Sequence, residues 1–414
     1  MTAPARTRRL VVVGASLAGL RVVEGARDAG FDGELTLIGD EPVAPYDRTV
    51  LSTRFLEDRE EPQTPVYRPA DDLRRDLDVD LRLGVAAHTL DPRSRTVHAG
   101  GHTIPYDALV IATGVRPRTP GWAANLAGVH LLRTVADARA LRKSLARSRR
   151  VVVVGGGFIG SEVASSARTL GLHVTIVEAR DVPFAAALGE TAGRLCAALH
   201  RAHGTELRCG VTVTALDGTG RVEKVLLSDG SVLKADTVVV GVGSHPNTEW
   251  LKGSGVACTD GVECDAALRT TVPGVYAVGD VARWFNPWLG RKVRVEHWTN
   301  AAHQAAAVAR GIATGQPDTP HASIPYFWSD WYGRRIQFIG EPTADETAVV
   351  GDPARGEFAC LYRTGERITG ALTVGGKGAI ARYRTAIRRR AAWQDVLHTA
   401  LDRAKTVQTG GTRA

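Results

Sequence analysis

Two glycine-rich stretches have the residue types and the spacing that bind the phosphates of a dinucleotide. In such a turn the first small residue allows a tight bend, and the second lets the backbone approach a pyrophosphate. The third lets helix and strand pack closely, while the helix N-terminus supplies N–H donors and the positive end of its dipole. These positions are Gly14, Ser16 and Gly19 in the first stretch and Gly155, Gly157 and Gly160 in the second.

Both turns belong to a repeated unit of strand, turn, helix and strand. Residues from Leu10 read LVVVGASLAGLRVVEGARDAG, and residues from Arg150 read RVVVVGGGFIGSEVASSARTLG. A second apolar strand follows each helix, ELTLIG in the first copy and HVTIVE in the second. One such motif alone is weak evidence, but two copies in the same context predict two βαβ units that each bind a dinucleotide.

An acid stands near the end of the second strand in each unit. Glu178 ends HVTIVE, where its carboxylate can accept hydrogen bonds from both hydroxyls of a ribose. The same charge would repel the 2′-phosphate of NADPH by on the order of 4 kcal/mol at about 4 Å. Arg180 would soften that repulsion, so NADH is favoured without NADPH being excluded. In the first βαβ unit, Asp40 or Glu41 has the matching position.

Length, charge, apolar runs and cysteine spacing limit which functions are expected of the chain. The chain has 414 residues, enough for two or three domains, and a net charge of +8 that favours an acidic partner. Lys and Arg are scattered, so nucleic acid is not expected as a ligand.

No apolar run approaches the roughly 20 residues that span a bilayer, and we expect a cytoplasmic protein without a membrane segment. The cysteines form no C-x-x-C pair, so neither a metal site nor a dithiol centre is expected; they are Cys196, Cys209, Cys258, Cys264 and Cys360.

Three further elements follow from local patterns. A helix is predicted from about Val135 to Ala146, with Thr134 as its N-cap. The apolar run TVPGVYAVGD ends at Asp280, which we expect to cap a following helix. From Tyr326 the pattern predicts strands, and then one basic helix over about residues 377–394.

Taken together, the motifs resemble one family closely. VVVGASLAGL, PYDRTVLSTRFL, GGGFIGSE, GVGSHPN, VYAVGD, EHWTNAAHQA and IPYFWSDWY occur in this order, and as a set they resemble the FAD-containing NADH:ferredoxin reductases. The resemblance covers nearly the whole chain. It implies an α/β fold with two Rossmann-like dinucleotide-binding domains, the second inserted in the first, plus a C-terminal α/β domain. The implied boundaries are 1–117 with 248–325 for the FAD domain, 118–247 for the NAD domain and 326–414 for the C-terminal domain.

The resemblance also assigns cofactor-binding residues, position by position. FAD is expected to contact Gly14, Ala15, Ser16, Ala18, Gly19, Asp40, Arg48, Thr53, Ala87, Ala112, Thr113, Gly114, Arg133, Gly279, Asp280 and Trp298. NADH is expected to contact Gly155, Gly157, Phe158, Ile159, Gly160, Glu178, Gly241 and Gly243.

Catalytic roles are expected for Glu162, Thr53 and Trp298. Trp298 would lie against the flavin ring, and Glu162 occupies the position of a carboxylate that stands beside the nicotinamide in the family. There that carboxylate pairs with the Lys of an R-P-P-L-S-K motif. Here the matching residues are RTVLST, so Thr53 replaces the Lys. Loss of this cation is expected to lower the flavin potential or to alter charge transfer with NAD⁺. The alternative is that Glu162 is protonated or solvated by water.

The expected electron acceptor is an acidic [2Fe–2S] ferredoxin that serves a cytochrome P450 or a ring-hydroxylating dioxygenase. Candidate docking residues are Lys377, Arg382, Arg384 and Arg388 to Arg390. A rubredoxin reductase or a reductase of small organic acceptors shares almost every motif. The missing Lys also leaves open a flavoprotein that senses NADH with weak turnover. A disulfide reductase is disfavoured because no Cys lies near the first glycine-rich turn or in PYDRTVLSTRFL.

Overall fold

The computed structural model describes residues 7–58, 60–123, 126–316, 318–376 and 378–410. The chain divides into two compact units. We call them the first unit (Met1–Asp47, Gln63–Arg116 and Ser244–Pro325) and the second unit (Arg48–Pro62, Pro117–Gly243 and Tyr326–Ala414). Over the described residues, no helix combines the length and the apolar character needed to cross a membrane.

Strands and helices are numbered in chain order. The strands are β1 (Arg9–Val13), β2 (Glu34–Gly39), β3 (Val79–Leu83), β4 (Ala87–Asp91), β5 (Thr96–Ala99), β6 (His102–Pro105), β7 (Ala108–Ile111), β8 (Val115–Pro117), β9 (Val129–His130), β10 (Arg150–Val154), β11 (His173–Glu178), β12 (Glu206–Cys209), β13 (Val213–Asp217), β14 (Lys224–Leu227), β15 (Val232–Lys234), β16 (Thr237–Val240), β17 (Ser244–Pro246), β18 (Cys258–Thr259), β19 (Gly261–Cys264), β20 (Val275–Ala277), β21 (Ala282–Asn286), β22 (Arg291–Arg294), β23 (Tyr326–Trp331), β24 (Arg334–Gly340), β25 (Glu346–Asp352), β26 (Glu357–Thr364) and β27 (Arg367–Val374). The α-helices are α1 (Leu17–Asp28), α2 (Arg54–Glu57), α3 (Ala70–Leu77), α4 (Val135–Leu145), α5 (Phe158–Thr169), α6 (Ala185–Ala202), α7 (Trp298–Thr314), α8 (Ala379–Arg388) and α9 (Trp393–Gly410).

The first unit contains a parallel sheet of order β20-β7-β1-β2-β3. The inner strands β1 and β7 are rich in Val, Leu and Ile and are buried on both faces, as is usual in parallel sheets. Helix α1 joins β1 to β2 and packs beside α7, and the side chains of both helices enter the core cluster of this sheet. Smaller antiparallel pairings form β4-β5-β6, and β18-β19-β21-β22 mixes parallel and antiparallel pairs.

A second parallel sheet, of order β12-β11-β10-β16-β9, lies in the second unit. Helix α5 joins β10 to β11, as α1 joins β1 to β2, so the predicted pair of βαβ units is confirmed. The predicted N-cap is also confirmed. The Thr134 hydroxyl accepts from the backbone N–H of Asp137, whose carboxylate accepts from the backbone N–H of Thr134, and this capping box starts α4.

The C-terminal part of the second unit is an antiparallel sheet of order β23-β24-β27-β26-β25. Helix α8 packs against β24 and β27, and α9 packs against β25. The expectation of one basic helix over residues 377–394 is wrong, because the segment contains α8 and the start of α9. Arg390 has a φ of +51°, a left-handed conformation that ends the first helix before Trp393 begins the second. Residue 377 lies outside the described residues.

Residues 48–62 belong to the second unit, although the predicted FAD domain includes them. The reason is the packing of α2. Leu56 is buried with Leu141 and Leu145 of α4, and the Arg142 guanidinium donates to the carbonyls of Phe55 and Leu56. The other implied domain boundaries stay predictions.

We predict that Leu56→Ala lowers the free energy of unfolding by about 2–5 kcal/mol, because it empties a fully buried leucine site. Urea unfolding monitored by circular dichroism measures the change. Leu170→Ala is the matched control in the same unit, since Leu170 is 40% exposed and its loss should have little effect. Equal losses in the two variants would contradict this account of α2.

Candidate functional site

The first glycine-rich turn connects β1 to α1. Gly14 has a φ of +117°, and a Cβ there would lie 2.1 Å from the carbonyl oxygen of Ala112. A Cβ on Gly19 would lie 1.9 Å from the carbonyl oxygen of Gly14. Both positions therefore exclude side chains. Ser16 is the N-cap of α1, so it and Ala18 lie where the first N–H groups of the helix are available to a pyrophosphate.

The carboxyl ends of β1, β7 and β20 meet at one edge of the first sheet. Thr113 and Gly114 follow β7, and both form hydrogen bonds with Asn247. The Thr113 hydroxyl donates to the Asn247 carbonyl at 2.8 Å, and the Asn247 side chain donates to the Thr113 carbonyl at 2.9 Å. The backbone N–H of Asn247 donates to the Gly114 carbonyl at 3.0 Å. Sequence reasoning missed Asn247, although it ends the quoted GVGSHPN motif.

Gly279 lies against the start of α1. A Cβ on Gly279 would lie 3.1 Å from the Cβ of Ala18, and its backbone N–H donates to the Gln304 side-chain oxygen at 2.8 Å. The Gln304 side-chain nitrogen is buried and has no hydrogen-bond partner among the described residues. An orphaned donor beside a small-residue turn fits a phosphate-bearing ligand at this edge. Gln304 was missed, although it stands in EHWTNAAHQA.

The other first-unit residues that are expected to contact FAD lie on several different elements. Asp40 directly follows β2 and is exposed, Ala87 begins β4, and Ala15 packs its Cβ toward Gly39. The helix expected after Asp280 is absent. Gly279–Val281 forms a single 3₁₀ turn that leads into β21, and the Asp280 carbonyl accepts from the Arg294 guanidinium at 3.2 Å.

Trp298 is the first residue of α7, and its indole N–H donates to the Tyr67 hydroxyl at 2.9 Å. That hydroxyl lies 3.3 Å from the Asp47 carboxylate. Burial raises the pKa of Tyr67 to about 12, so the phenol stays protonated. Tyr67 thus fixes the indole plane, a contact that sequence reasoning did not anticipate.

The second glycine-rich turn repeats the geometry of the first. Gly155 has a φ of +102°, and a Cβ there would lie 2.2 Å from the Gly241 carbonyl oxygen. A Cβ on Gly160 would lie 2.2 Å from the Gly155 carbonyl oxygen. Gly157 is different, because it is exposed, it is the N-cap of α5, and a Cβ there would meet no atom within 4 Å. The open space at Gly157 is where a pyrophosphate can approach the helix.

Residues around this turn could contact the parts of a nucleotide other than its pyrophosphate. Glu178 ends β11, and its carboxylate accepts from the backbone N–H groups of Gly156 at 2.8 Å and Arg180 at 3.0 Å. Ile159 is 48% exposed and Val242 is 38% exposed beside this turn. A bound nucleotide would cover them. Gly243 accepts from the backbone N–H of Arg118 at 2.9 Å.

Three residues expected to contact FAD lie in the second unit. The Arg48 guanidinium donates to the Arg133 carbonyl at 2.9 Å. Thr53 is the N-cap of α2, and its hydroxyl lies 3.4 Å from the Val50 carbonyl oxygen. Their expected roles toward FAD stay predictions.

Glu162 is held by two serines. The hydroxyls of Ser52 and Ser329 each donate to its carboxylate at 2.5 Å. Neither serine was identified from the sequence, where Thr53 was the expected neighbour. Phe158, one helical turn before Glu162, packs its ring against Phe327 with centroids 4.5 Å apart. The glutamate therefore lies in a closed part of the second unit.

Burial controls the charge of Glu162. It raises the pKa of the carboxyl to about 7, although hydrogen bonds from Ser329 and Ser52 oppose the rise. Among the described residues, no Lys, Arg or His forms an ion pair with Glu162. Near neutral pH the group is therefore divided between its acid and carboxylate forms.

We predict opposite outcomes for the same substitution at two glycines. Gly157→Ala should leave the thermal midpoint nearly unchanged and weaken NADH binding by on the order of tenfold, because the methyl group meets only an approaching pyrophosphate. Gly160→Ala should cost about 1–3 kcal/mol of stability, because it separates helix from strand. Thermal unfolding and fluorescence titration measure the two effects. Normal NADH affinity in Gly157→Ala would contradict the assignment of this turn.

We predict that Glu162→Gln changes the pH dependence of stability. The folded pKa of about 7 exceeds the ordinary 4.5, so the folded state holds this proton more tightly. The resulting stabilisation is complete below 4.5 and is lost as the pH rises through 7, a difference on the order of 3 kcal/mol. The variant should therefore gain stability relative to the original chain by this amount at alkaline pH, as measured by urea unfolding. Glu190→Gln, at an exposed acid on α6, is the control, and a constant difference for Glu162→Gln would refute the assignment.

Comparison with known proteins places the chain in a family. Residues 8–305 match the pyridine nucleotide-disulphide oxidoreductase family, and residues 326–406 match a reductase C-terminal domain. The chain is 39% identical to the ferredoxin–NAD(+) reductase component of the anthranilate 1,2-dioxygenase system of Burkholderia cepacia, covering 88% of this chain and 90% of the relative. It is 37% identical to rhodocoxin reductase of Rhodococcus erythropolis, covering 88% and 86%.

A solved structure shows the same fold. The crystal structure of the covalent putidaredoxin reductase–putidaredoxin complex matches with a TM-score of 0.88 and 30% identity, covering 93% of this chain and 94% of that chain. The predicted fold class and the resemblance carried by the motifs are both confirmed. The chain belongs to the pyridine nucleotide-disulphide oxidoreductase family.

Proposed function

We propose that this chain is an FAD-containing, NADH-dependent reductase that passes electrons to a [2Fe–2S] ferredoxin serving a cytochrome P450 or a ring-hydroxylating oxygenase. One observation carries the proposal. The same glycine-rich turn, closed to side chains at its first and third positions, follows the first strand of a βαβ unit in each of two parallel sheets. A chain with two dinucleotide sites is suited to moving electrons between cofactors.

The cofactors of this proposal are FAD and NADH, and family membership confirms that prediction. In the first unit, Gly14, Ser16 and Gly279 would hold FAD. In the second unit, Gly157 and Glu178 would hold NADH. The chemistry supplied by bound FAD is acceptance of a hydride from NADH and release of electrons to a one-electron acceptor.

The protein's own part in this chemistry is binding and exclusion of water. The α1 and α5 N-termini direct N–H donors and positive dipole ends at the phosphates. The Glu178 carboxylate is already fixed by two backbone donors, so it can meet ribose hydroxyls without losing side-chain freedom. Ile159 and Val242 present apolar surface that bound nucleotide would cover, which excludes water from this part of the site.

Electrostatics support an acidic protein partner. Relatives include ferredoxin–NAD(+) reductase components, and one solved relative is linked covalently to putidaredoxin. The net charge of +8 favours an acidic ferredoxin. Arg382 and Arg388 are exposed on α8. Arg384 stands over the Tyr326 ring at 4.5 Å and is partly committed to that contact.

The cysteines do not support disulfide reduction. All five are free, and burial raises the pKa of Cys196, Cys264 and Cys360 rather than lowering it toward a reactive thiolate. Free cysteines are also usual in reducing compartments, which supports our inference that the protein acts in the cytoplasm.

The test is a pair of turnover assays on the purified holoprotein. We expect NADH to reduce ferricyanide and to reduce an acidic [2Fe–2S] ferredoxin, the second rate falling with salt. Arg382→Glu with Arg388→Glu should slow ferredoxin reduction by on the order of tenfold and leave ferricyanide reduction unchanged. Arg355→Glu, an exposed arginine between β25 and β26, is the charge-matched control.

Two outcomes would refute parts of the proposal. Ferricyanide reduction without reduction of any ferredoxin would reject the acceptor. A purified protein that takes up no FAD would overturn the whole proposal.

A further inference from the structure

The helix that follows the second glycine-rich turn begins with a phenylalanine whose ring packs into a cluster of other rings. Phe158 is the first residue of α5 and directly follows Gly157, the open position of the turn. Its ring centroid lies 4.5 Å from that of Phe327, 5.3 Å from that of Phe184 and 6.3 Å from that of Trp331. We call these four residues the ring cluster. Because the N–H groups available to a pyrophosphate belong to the first turn of α5, the position of Phe158 fixes where these donors lie.

The other members of the ring cluster come from outside the βαβ unit. Phe327 and Trp331 lie in β23 of the C-terminal sheet, and both are buried in the core that this sheet shares with α6. Phe184 directly precedes α6 and stacks on Trp331, with the ring centroids 4.9 Å apart. The start of α5 is therefore held by residues that the βαβ unit itself does not contain.

The backbone of Phe184 is in a conformation that residues with a Cβ rarely adopt. Its φ is +62° and its ψ is 0°, in the left-handed region. Such residues persist where the surrounding packing holds them, and they are concentrated at binding sites. The Phe184 ring is buried and contacts both Phe158 and Trp331. The strained backbone is thus tied to contacts that end at the nucleotide-binding helix.

Strand β23 and the turn after it also hold α5 beyond its first residue. The Ser329 hydroxyl donates to the Glu162 carboxylate at 2.5 Å, and the backbone N–H of Tyr332 donates to the Ser165 hydroxyl at 2.7 Å. Phe158, Glu162 and Ser165 are spaced so that they share one side of the helix. The C-terminal sheet therefore supports α5 along that side.

We propose that Phe327 and Phe184 are positioning residues for the second dinucleotide site. Their rings hold Phe158, and with it the first N–H donors of α5, where the pyrophosphate of the nicotinamide nucleotide binds. The inference rests on the proposed function, because that function assigns this turn to NADH. It goes further in making nucleotide affinity depend on the C-terminal sheet.

The experiment combines calorimetric titration of the oxidised holoprotein with NADH turnover, using ferricyanide as the acceptor. The titrants are NAD⁺ and ADP-ribose, which share the pyrophosphate. Phe327→Leu should weaken the binding of both ligands alike, on the order of fivefold, because it removes a ring contact that holds Phe158. It should lower kcat/KM for NADH by a similar factor and leave kcat unchanged, since the lost interaction serves binding alone.

Phe338→Leu is the matched control. Phe338 is buried in the same core and stacks on Phe327 with centroids 5.4 Å apart, but among the residues that the structure describes its ring does not contact Phe158. This variant should lower the thermal midpoint about as much as Phe327→Leu and keep the original affinity for both ligands. Phe184→Leu should weaken both ligands, and it keeps the inference testable if Phe327→Leu does not fold.

A double-mutant cycle with Phe158→Leu tests the route of the effect. The losses of affinity in Phe158→Leu and Phe327→Leu should not add, because both variants remove the same ring contact. Additive losses, unchanged affinity in Phe327→Leu, an equal loss in Phe338→Leu, or a loss for NAD⁺ without one for ADP-ribose would each overturn the inference. Failure of the original holoprotein to bind either ligand would instead reject the proposed function.

Discussion

The close approach of backbone to backbone at the strand ends is the constraint on which both nucleotide sites depend. After β1 and after β10, a glycine turns so tightly that the carbonyl of a neighbouring strand end occupies the place of its side chain. A second glycine one helical turn later lets the helix lie against that same bend. Because these contacts are between main-chain atoms, no repacking of side chains can relieve a substitution. The helix N-termini keep their orientation only while this contact is kept.

The first and third positions of each turn are closed, whereas the position between them is free to vary. Ser16 and Gly157 occupy that position, and both lie at the N-terminus of a helix. The difference between serine in one unit and glycine in the other is thus compatible with one backbone geometry. The choice between serine and glycine changes the group that a bound pyrophosphate would contact, and it leaves the backbone of the turn unchanged.

Glu162 shows how an acid can be kept in a closed environment without a cation. Two hydroxyls and one amide favour the carboxylate, but burial favours the acid more strongly, so the pKa of Glu162 rises to about 7. A lysine partner would have shifted that balance strongly toward the charged form. Hydroxyl donors from Ser52 and Ser329 support the carboxyl in the place where a cation could have stood.

Local patterns predicted the two βαβ units and the capping box of α4, because periodicity and capping depend on residues close in sequence. The partners of the site residues could not be predicted in this way. Ser52 and Ser329 are 110 and 167 residues from Glu162, and Asn247 is 134 residues from Thr113. The break between α8 and α9 was missed for another reason. It depends on one left-handed arginine, a residue type that does not usually end a helix.

The membership of residues 48–62 in the second unit has a consequence for biosynthesis. The ribosome makes the β23 strand, which shares Glu162 with this segment, more than two hundred and fifty residues after the segment itself. The first unit is also built from separated segments. Neither unit can be completed while the chain is still short, so folding must wait for late segments and proceed through long-range closure. Nascent chains of this protein should therefore remain dependent on protection from aggregation until the segment from Tyr326 onward has been translated.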